Sequence, residues 1–447
     1  VSEIESLLVA NRGEIARRVI RTAKRLGIRT IAVHSDVDAG LPFVLEADEA
    51  VLIGPANPAQ SYRNAEAVLT AAKQTGAQAI HPGYGFLSEN AEFARQVEAA
   101  GLIWVGPSAE AITAMGDKIN ARNLMAAAGV PVAPGTTDPA GSVDEALAEA
   151  ERIGFPVMIK AAAGGGGMGM APARDETAFR AEYDRVRGFA ERMFGDGSVL
   201  IEKYFPSVRH IEVQILGLAD GTVVALGERE CSVQRRNQKL VEESPSPASM
   251  LTPERRQALH ASAVRAGEAV GYRNAGTVEC LLDPATGEFF FLEMNTRLQV
   301  EHPITEAVFG IDLVEAQVRI AAGLPVDVPT QSHGHAIELR INAEDPKRFL
   351  PGPGVVTVWE EPAGLPGIRV DSGYAAGTTV TPNYDSLMAK LVAYGADRAE
   401  AIDRLRAAVA AFQITGPKNN LPFFAELLEN EEFLSGDYDT AIVSRMR

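Results

Sequence analysis

The chain has 447 residues, and 42 Lys+Arg against 59 Asp+Glu give a formal net charge of −17. That balance argues against a nucleic-acid partner, which needs concentrated Lys and Arg; two cysteines, Cys231 and Cys280, suit neither a disulfide framework nor a metal pattern. No apolar run approaches the roughly 20 residues that span a bilayer, and the N-terminal stretch is charged and helix-patterned rather than signal-like, so the expectation is a cytoplasmic multidomain enzyme without a membrane partner.

Residues 1–115 read as alternating strands and helices. The apolar run 7–10 feeds a helix whose Ile15, Val19, Ile20, Ala23 and Leu26 share one face, and Gly27 closes it. Strand signals recur at 30–34, 50–53, 79–81 and 102–106, the rhythm of a doubly wound parallel sheet. Residues 115–129 predict one helix, and the loop-rich 131–142 predicts a domain boundary. A helix at 143–152, a strand at 156–160, a glycine run, a further helix and a strand at 198–202 make a compact second segment. From 208 to 325 antiparallel signals dominate, and His210, Glu212 and Gln214 alternate with Ile211, Val213 and Ile215. The expected division is 1–131, 132–204, 205–330 and 331–447, the last an α+β unit.

Five glycines fall within 164–169, directly after an apolar strand ending in Lys160. Glycine loses the most conformational entropy on ordering, so such a run implies close backbone approach to a polyphosphate, often by a moving flap. Lys160 closes the strand on the face of Met158 and suits a phosphate. The second constellation is a hairpin, 277–282 and 289–297. If its loop holds five residues, 283 pairs with 289 and Glu279 sits opposite Glu293. Facing carboxylates repel until a divalent cation sits between them; oxygen ligands, with Asn295 two residues on, suit Mg²⁺ or Mn²⁺ bound with nucleotide phosphates. Strand alternation puts Glu293, Asn295 and Arg297 on one face and Phe290, Leu292 and Met294 on the other. Arg235, Arg236 and Lys239 read as a positively charged wall facing a second anion beside ATP. Glu202 ends its strand where a carboxylate could take the adenine amino proton. Cys231 and Cys280 read as buried hydrophobes rather than nucleophiles.

These residues, with Asn11-Arg12-Gly13-Glu14, His81-Pro82-Gly83-Tyr84, Met115-Gly116-Asp117-Lys118, Arg297 to His302, Arg340 to Glu344 and Tyr384-Asp385-Ser386, resemble the ATP-grasp superfamily and, within it, biotin carboxylases along essentially the whole chain. The resemblance implies an N-terminal doubly wound parallel sheet, an ATP-grasp core with a mobile lid and a C-terminal α+β domain. It implies ATP-dependent carboxylation of the biotin N1 by bicarbonate through carboxyphosphate. It makes Lys118 and Lys160 phosphate ligands, with Gly165 and Gly166 in the flap. Glu202, Lys203 and the Tyr204 backbone would hold adenine, and His210 and Gln234 would complete the nucleotide pocket. Glu279, Glu293 and Asn295 would take Mg²⁺ or Mn²⁺; Lys239, Arg297 and the Val300 backbone would bind bicarbonate. Glu301 would be the general base and Arg340 would stabilise the biotin enolate.

Met168 and Ala171 stand where many relatives carry basic residues, which is expected to remove up to two phosphate-facing charges, and Asn237 replaces a common histidine. Met294-Asn295 and His302-Pro303-Ile304-Thr305-Glu306 resemble acyl-CoA carboxylases, whereas the apolar flap and Asn237 keep a urea carboxylase branch open, and the neutral flap keeps open a nucleotide-binding regulatory subunit. The family's biotinyl lysine follows a methionine, and no Met-Lys pair occurs here. Biotin is therefore expected on a separate carrier protein or domain, with a carboxyltransferase as further partner. Family analogy suggests a homodimer.

Overall fold

The computed structural model describes residues 3–163 and 168–447. Gly165 and Gly166, assigned to the flap, lie outside the described residues. The first segment is a five-stranded parallel sheet in the order β3-β2-β1-β4-β5, formed by β1 (Ser6–Val9), β2 (Arg29–Ser35), β3 (Glu49–Gly54), β4 (Ala79–His81) and β5 (Ile103–Trp104). Both faces of β1 are covered, as a parallel strand between helices requires. Leu7 and Val9 pack with Ile15, Val19 and Ile20 of the helix Gly13–Arg25, while Leu8 packs with Ile31, Val33 and Ile80 on the other side. The helix expected over 115–129 is two helices, Ala109–Gly116 and Lys118–Ala127. Asp117 breaks the run: its backbone is extended, and its carboxylate accepts from the Asn120 N–H at 2.9 Å as an N-cap.

The second segment is a three-stranded antiparallel sheet, order β7-β6-β8, from β6 (Val157–Ala161), β7 (Met170–Ala173) and β8 (Val199–Lys203). Val157 and Ile159 are buried with Phe179 and Tyr183 of the helix Glu176–Phe194; Met158 and Lys160 border the central cavity. Alternation along β6 thus gives one face to the lid core and the other to the ligand space.

The largest unit is an eight-stranded sheet. It combines β9 (Arg209–Gly217), β10 (Val223–Arg235), β11 (Gln238–Ser244), β12 (Asn274–Leu282) and β13 (Phe289–Asn295) with β14 (His335–Asn342), β17 (Ile368–Ser372) and β19 (Leu387–Gly395). Two short ribbons, β15 (Gly354–Val355) with β18 (Thr379–Val380) and β16 (Val358–Glu360) with β20 (Gln413–Thr415), lie beside it. The order β13-β12-β9-β10-β11-β14-β19-β17 runs unbroken across residue 330, because β11 pairs with β14. No helix among the described residues is long and apolar enough to cross a membrane.

Buried ion pairs tie the C-terminal helices to this sheet. Glu243 accepts from His335 at 2.7 Å, Arg398 at 2.8 Å and Tyr438 at 2.6 Å. Burial opposes its ionisation, but Arg398 and His335 outweigh it and hold the carboxyl at about 2. A depressed folded-state value stabilises above the ordinary carboxyl range, and the contribution is lost as pH falls toward 2. Glu243→Gln is expected to cost about 3 kcal/mol at neutral pH, read as a lower urea midpoint. The gap from wild type should shrink steadily between about pH 5 and pH 2; a pH-independent gap would refute the ion-pair account.

Candidate active site

A cavity of about 1310 Å³ opens between the three segments, and every predicted site residue among the described ones borders it. The β12–β13 hairpin supplies its acidic wall. Glu279 and Glu293 stand opposite each other, for a different reason than the loop length suggests. The hairpin closes with Leu282 opposite Phe289, which would have set Glu279 against Leu292; a bulge between Cys280 and Glu279 leaves Leu292 unpaired and moves Glu293 into place. The bulge also corrects the expected faces: Met294 enters the core with Phe291, which reaches the cavity edge as well, whereas Phe290 and Leu292 border the cavity with Glu293. Burial and the facing Glu279 push Glu293 up to about 7. Burial also opposes ionisation of Glu279, but Lys239 and His210 prevail and hold it well below its usual range. A facing carboxyl pair, one member reluctant to ionise, with the Asn295 amide oxygen on the same cavity wall, is an all-oxygen donor set that fits a hard divalent cation.

Lys239, on β11, is the hub of the site. Its ammonium lies 2.8 Å from Glu212, 2.9 Å from Glu279 and 2.7 Å from Glu301. Glu301 reaches Arg340 with its second oxygen, at 3.0 Å; against the cost of burial, Lys239 and Arg340 hold it well below the carboxylate range. Arg340 also binds Glu242, at 2.6 Å. Arg297 is braced by Glu89 of the first segment at 3.2 Å and donates to Asn295 at 3.3 Å. The Val300 carbonyl accepts from Lys390 at 2.8 Å, which fixes the peptide behind Glu301. The expected basic wall divides: Lys239 faces this cluster, Arg235 stacks on Phe349 with 4.6 Å to the ring centre, and Arg236 sits exposed at the hairpin tip with φ +51°.

At the nucleotide end Lys160 lies 2.5 Å from Glu202. The cation assigned to phosphate and the carboxylate assigned to adenine therefore neutralise each other, and a nucleotide must exchange that pair for its own contacts. The backbone N–H groups of Lys203 and Tyr204 donate to Pro134 and Pro156. Gln234 contacts His210 at 3.2 Å, and Lys118 starts the helix after Asp117.

Three family models cover almost all of the chain: the N-terminal domain of biotin carboxylase over residues 3–112, the ATP-binding domain of the carbamoyl-phosphate synthase L chain over 117–328 and the C-terminal domain of biotin carboxylase over 338–445. The biotin carboxylase of Haemophilus influenzae is 49% identical over 97% of this chain and 96% of its own. The chain belongs to the biotin carboxylase family. A Campylobacter jejuni biotin carboxylase, solved as a β,γ-ATP complex, superposes with a TM-score of 0.93 at 43% identity over 99% of both chains. The biotin carboxylase domain dimer of Hydrogenobacter thermophilus 2-oxoglutarate carboxylase, solved with MgADP, ADP and bicarbonate, gives 0.92 at 44% identity over 100% of this chain and 98% of that one.

The support beneath Lys239 is not among the residues that the sequence singles out. Arg229, fully buried, uses all five N–H groups, on Glu212, Gln214, Thr277, Gln299 and Thr305, at 2.6–3.0 Å. The signal was the polar face of 210–214, which demanded an internal cation. Ala171 is buried in the lid core, so of the two neutral positions only Met168, 55% exposed, borders the cavity. Both cysteines are buried; burial pushes the Cys280 thiol to about 12 and Cys231 well above its usual value, as inert structural thiols require.

Proposed function

We propose that Glu301, Lys239, Arg297 and Arg340 carry out the ATP-dependent carboxylation of biotin by bicarbonate that defines the family. One observation carries the assignment: Glu301 bridges Lys239 and Arg340, so the proposed bicarbonate cation and the proposed biotin cation share one carboxylate. Bicarbonate is a poor nucleophile until it loses its second proton. Lys239, Arg297 and the Val300 N–H would hold the anion, and Glu301, ionised across the working pH range, would accept that proton. Its basicity rises when an incoming anion draws Lys239 toward itself. The carbonate so formed attacks the γ-phosphorus of ATP and displaces ADP, giving carboxyphosphate. Carboxyphosphate splits into CO₂ and phosphate; the phosphate takes the biotin N1 proton while Arg340 faces the developing ureido oxyanion, and N1 then adds to the CO₂ to give carboxybiotin.

Lys118 and Lys160 would bind phosphates, with Gly165 and Gly166 in the flap; Glu202, Lys203, Tyr204, His210 and Gln234 would bind the nucleoside. Glu279, Glu293 and Asn295 would hold Mg²⁺ or Mn²⁺, which when bound neutralises phosphate charge. Residues 132–204 form the lid in this reading, between 1–131 and the catalytic 205–330, with 331–447 completing the biotin side. Biotin carboxylase subunits work with a biotin carrier and a carboxyltransferase; here we place the biotin on a separate carrier or domain, in a cytoplasmic homodimer.

The test is ATP hydrolysis with Mg²⁺, bicarbonate and free biotin, each omitted in turn. Turnover that needs bicarbonate and rises with biotin supports the assignment. Nucleotide binding without bicarbonate-dependent turnover sinks it and favours a regulatory subunit. A second test reads the metal pair. Cation binding needs Glu293 ionised, and its carboxyl sits at about 7, so affinity for Mn²⁺ should rise about tenfold from about pH 6 to about pH 8. Glu293→Gln should weaken binding and flatten that slope, measured by electron paramagnetic resonance titration.

A further inference from the structure

Behind Arg340 lies a buried acid that the mechanism above leaves unused. Glu338, on β14, is paired in register with Glu242 on β11 and Val392 on β19. Alternation along β14 sends Ile337, Leu339 and Ile341 into the main core and puts Glu338 on the face of Arg340. Glu338 and Glu242 are both fully buried. Among the described residues, neither oxygen of Glu338 has a hydrogen-bond partner, and the second oxygen of Glu242 has none either. Three acceptor atoms thus lack donors where two carboxyls oppose each other directly.

The nearby cations are committed. Arg340 serves Glu242 and Glu301, and Lys390 serves Val300 and Glu14. The helix His302–Phe309, packed over this face, adds no cation: it carries the neutral imidazole of His302, the Thr305 hydroxyl that accepts from Arg229, and the Glu306 carboxylate paired with Arg18 and Arg369. Two ionised carboxylates in this position, three of their four oxygens without donors, would be prohibitively costly. A single proton resolves the conflict, because a carboxylic acid donates to its neighbour's free oxygen.

We propose that Glu338 is a positioning residue for the biotin step: it holds the one proton shared with Glu242, and as the neutral member of that pair it leaves Arg340 aimed at the cavity instead of drawn back into the sheet. The inference rests on the assignment of Arg340 to biotin. The charges around Glu338 agree with it. Burial first, then the Glu242 and Glu301 charges, push its carboxyl well above the usual range despite Lys390 and Arg340, and Glu242 itself is raised to about 7. Ionising both acids would add a negative charge directly behind the Arg340 guanidinium. Its field would compete with the biotin oxyanion for the same cation.

The experiment compares wild type, Glu338→Gln, Glu338→Leu and Arg340→Gln. It reads the increment in ATP hydrolysis caused by free biotin over the bicarbonate-only rate, from about pH 6 to about pH 9.5. Glu338→Gln, a neutral isostere that can still donate to Glu242, should match wild type within about twofold at neutral pH and retain its rate further into alkali. Glu338→Leu, neutral but without a donor, should lower the biotin increment at least about tenfold while the bicarbonate-only rate stays within about twofold. A Glu338→Gln protein that fails to fold, or loses the increment about tenfold, shows that an ionised carboxylate is needed and overturns the proposal. So does a Glu338→Leu increment equal to wild type. If Arg340→Gln leaves the increment intact, the reading beneath falls, and this inference with it; if Arg340→Gln abolishes it and Glu338 is indifferent, only this inference falls.

Discussion

Glu301→Gln is expected to lower bicarbonate-dependent ATP hydrolysis by roughly 10²–10⁴-fold, the span that a positioned general base contributes. The substitution keeps the shape of the side chain and removes its ability to accept a proton. It should leave the fold intact, because neither cation is stranded: Lys239 keeps Glu212 and Glu279, and Arg340 keeps Glu242. Nucleotide affinity should change by less than about twofold, since Glu301 contacts neither Lys160 nor Glu202 among its hydrogen bonds. The loss should therefore sit in kcat rather than in the KM for ATP. Hydrolysis that still depends on bicarbonate at a tenth or more of the wild-type rate would move the base to another group. Glu212 would be the first candidate, as the remaining carboxylate on Lys239 outside the metal pair.

How much of this was legible beforehand depends on the range of the interaction. The parallel first segment follows from local patterning, because strands covered on both faces and amphipathic helices announce themselves in short windows. The facing pair Glu279–Glu293 was also within reach, since a hairpin is a local object. Its register nonetheless depended on a bulge at Leu292 that loop length could not reveal. The helix break at Asp117 is an instance of cap chemistry: Asp followed by Lys-Ile-Asn suits a helix start as well as a helix interior, and packing decides between them. The charged residues on 228–243 were harder. Sequence shows Glu228-Arg229-Glu230 and Arg235-Arg236 as similar charge runs, yet Arg229 is sealed beneath the site while Arg235 lies on Phe349. Which of two such arginines turns inward is settled by acceptors on β9, β12 and the segment after β13, far apart in sequence.

Lys239→Met is the companion experiment to Glu301→Gln, and it should damage the protein more broadly. One ammonium holds Glu212, Glu279 and Glu301 within 2.9 Å, and all three carboxylates are buried. Removing it strands acids in a medium that solvates them poorly, at an expected cost of about 3–5 kcal/mol at neutral pH. Arg229 limits the cost, because it retains Glu212; Glu279 and Glu301 have more to lose, since Lys239 is the largest charge holding each below the usual range. The sign of the pH dependence follows. Without Lys239 the folded-state values of those two acids rise, so the variant folds with protons bound that its unfolded chain would release. The deficit should be greatest at neutral pH and narrow as pH falls toward about 5, where protonation takes over part of the lost neutralisation. Urea unfolding of wild type and variant at both pH values measures it. A deficit of the same size at both would mean that lost packing of the lysine stem, rather than the stranding of carboxylates, accounts for the instability. Bicarbonate-dependent turnover should be absent at either pH, because protons can replace the charge that holds the acids together but cannot replace the cation offered to the substrate anion.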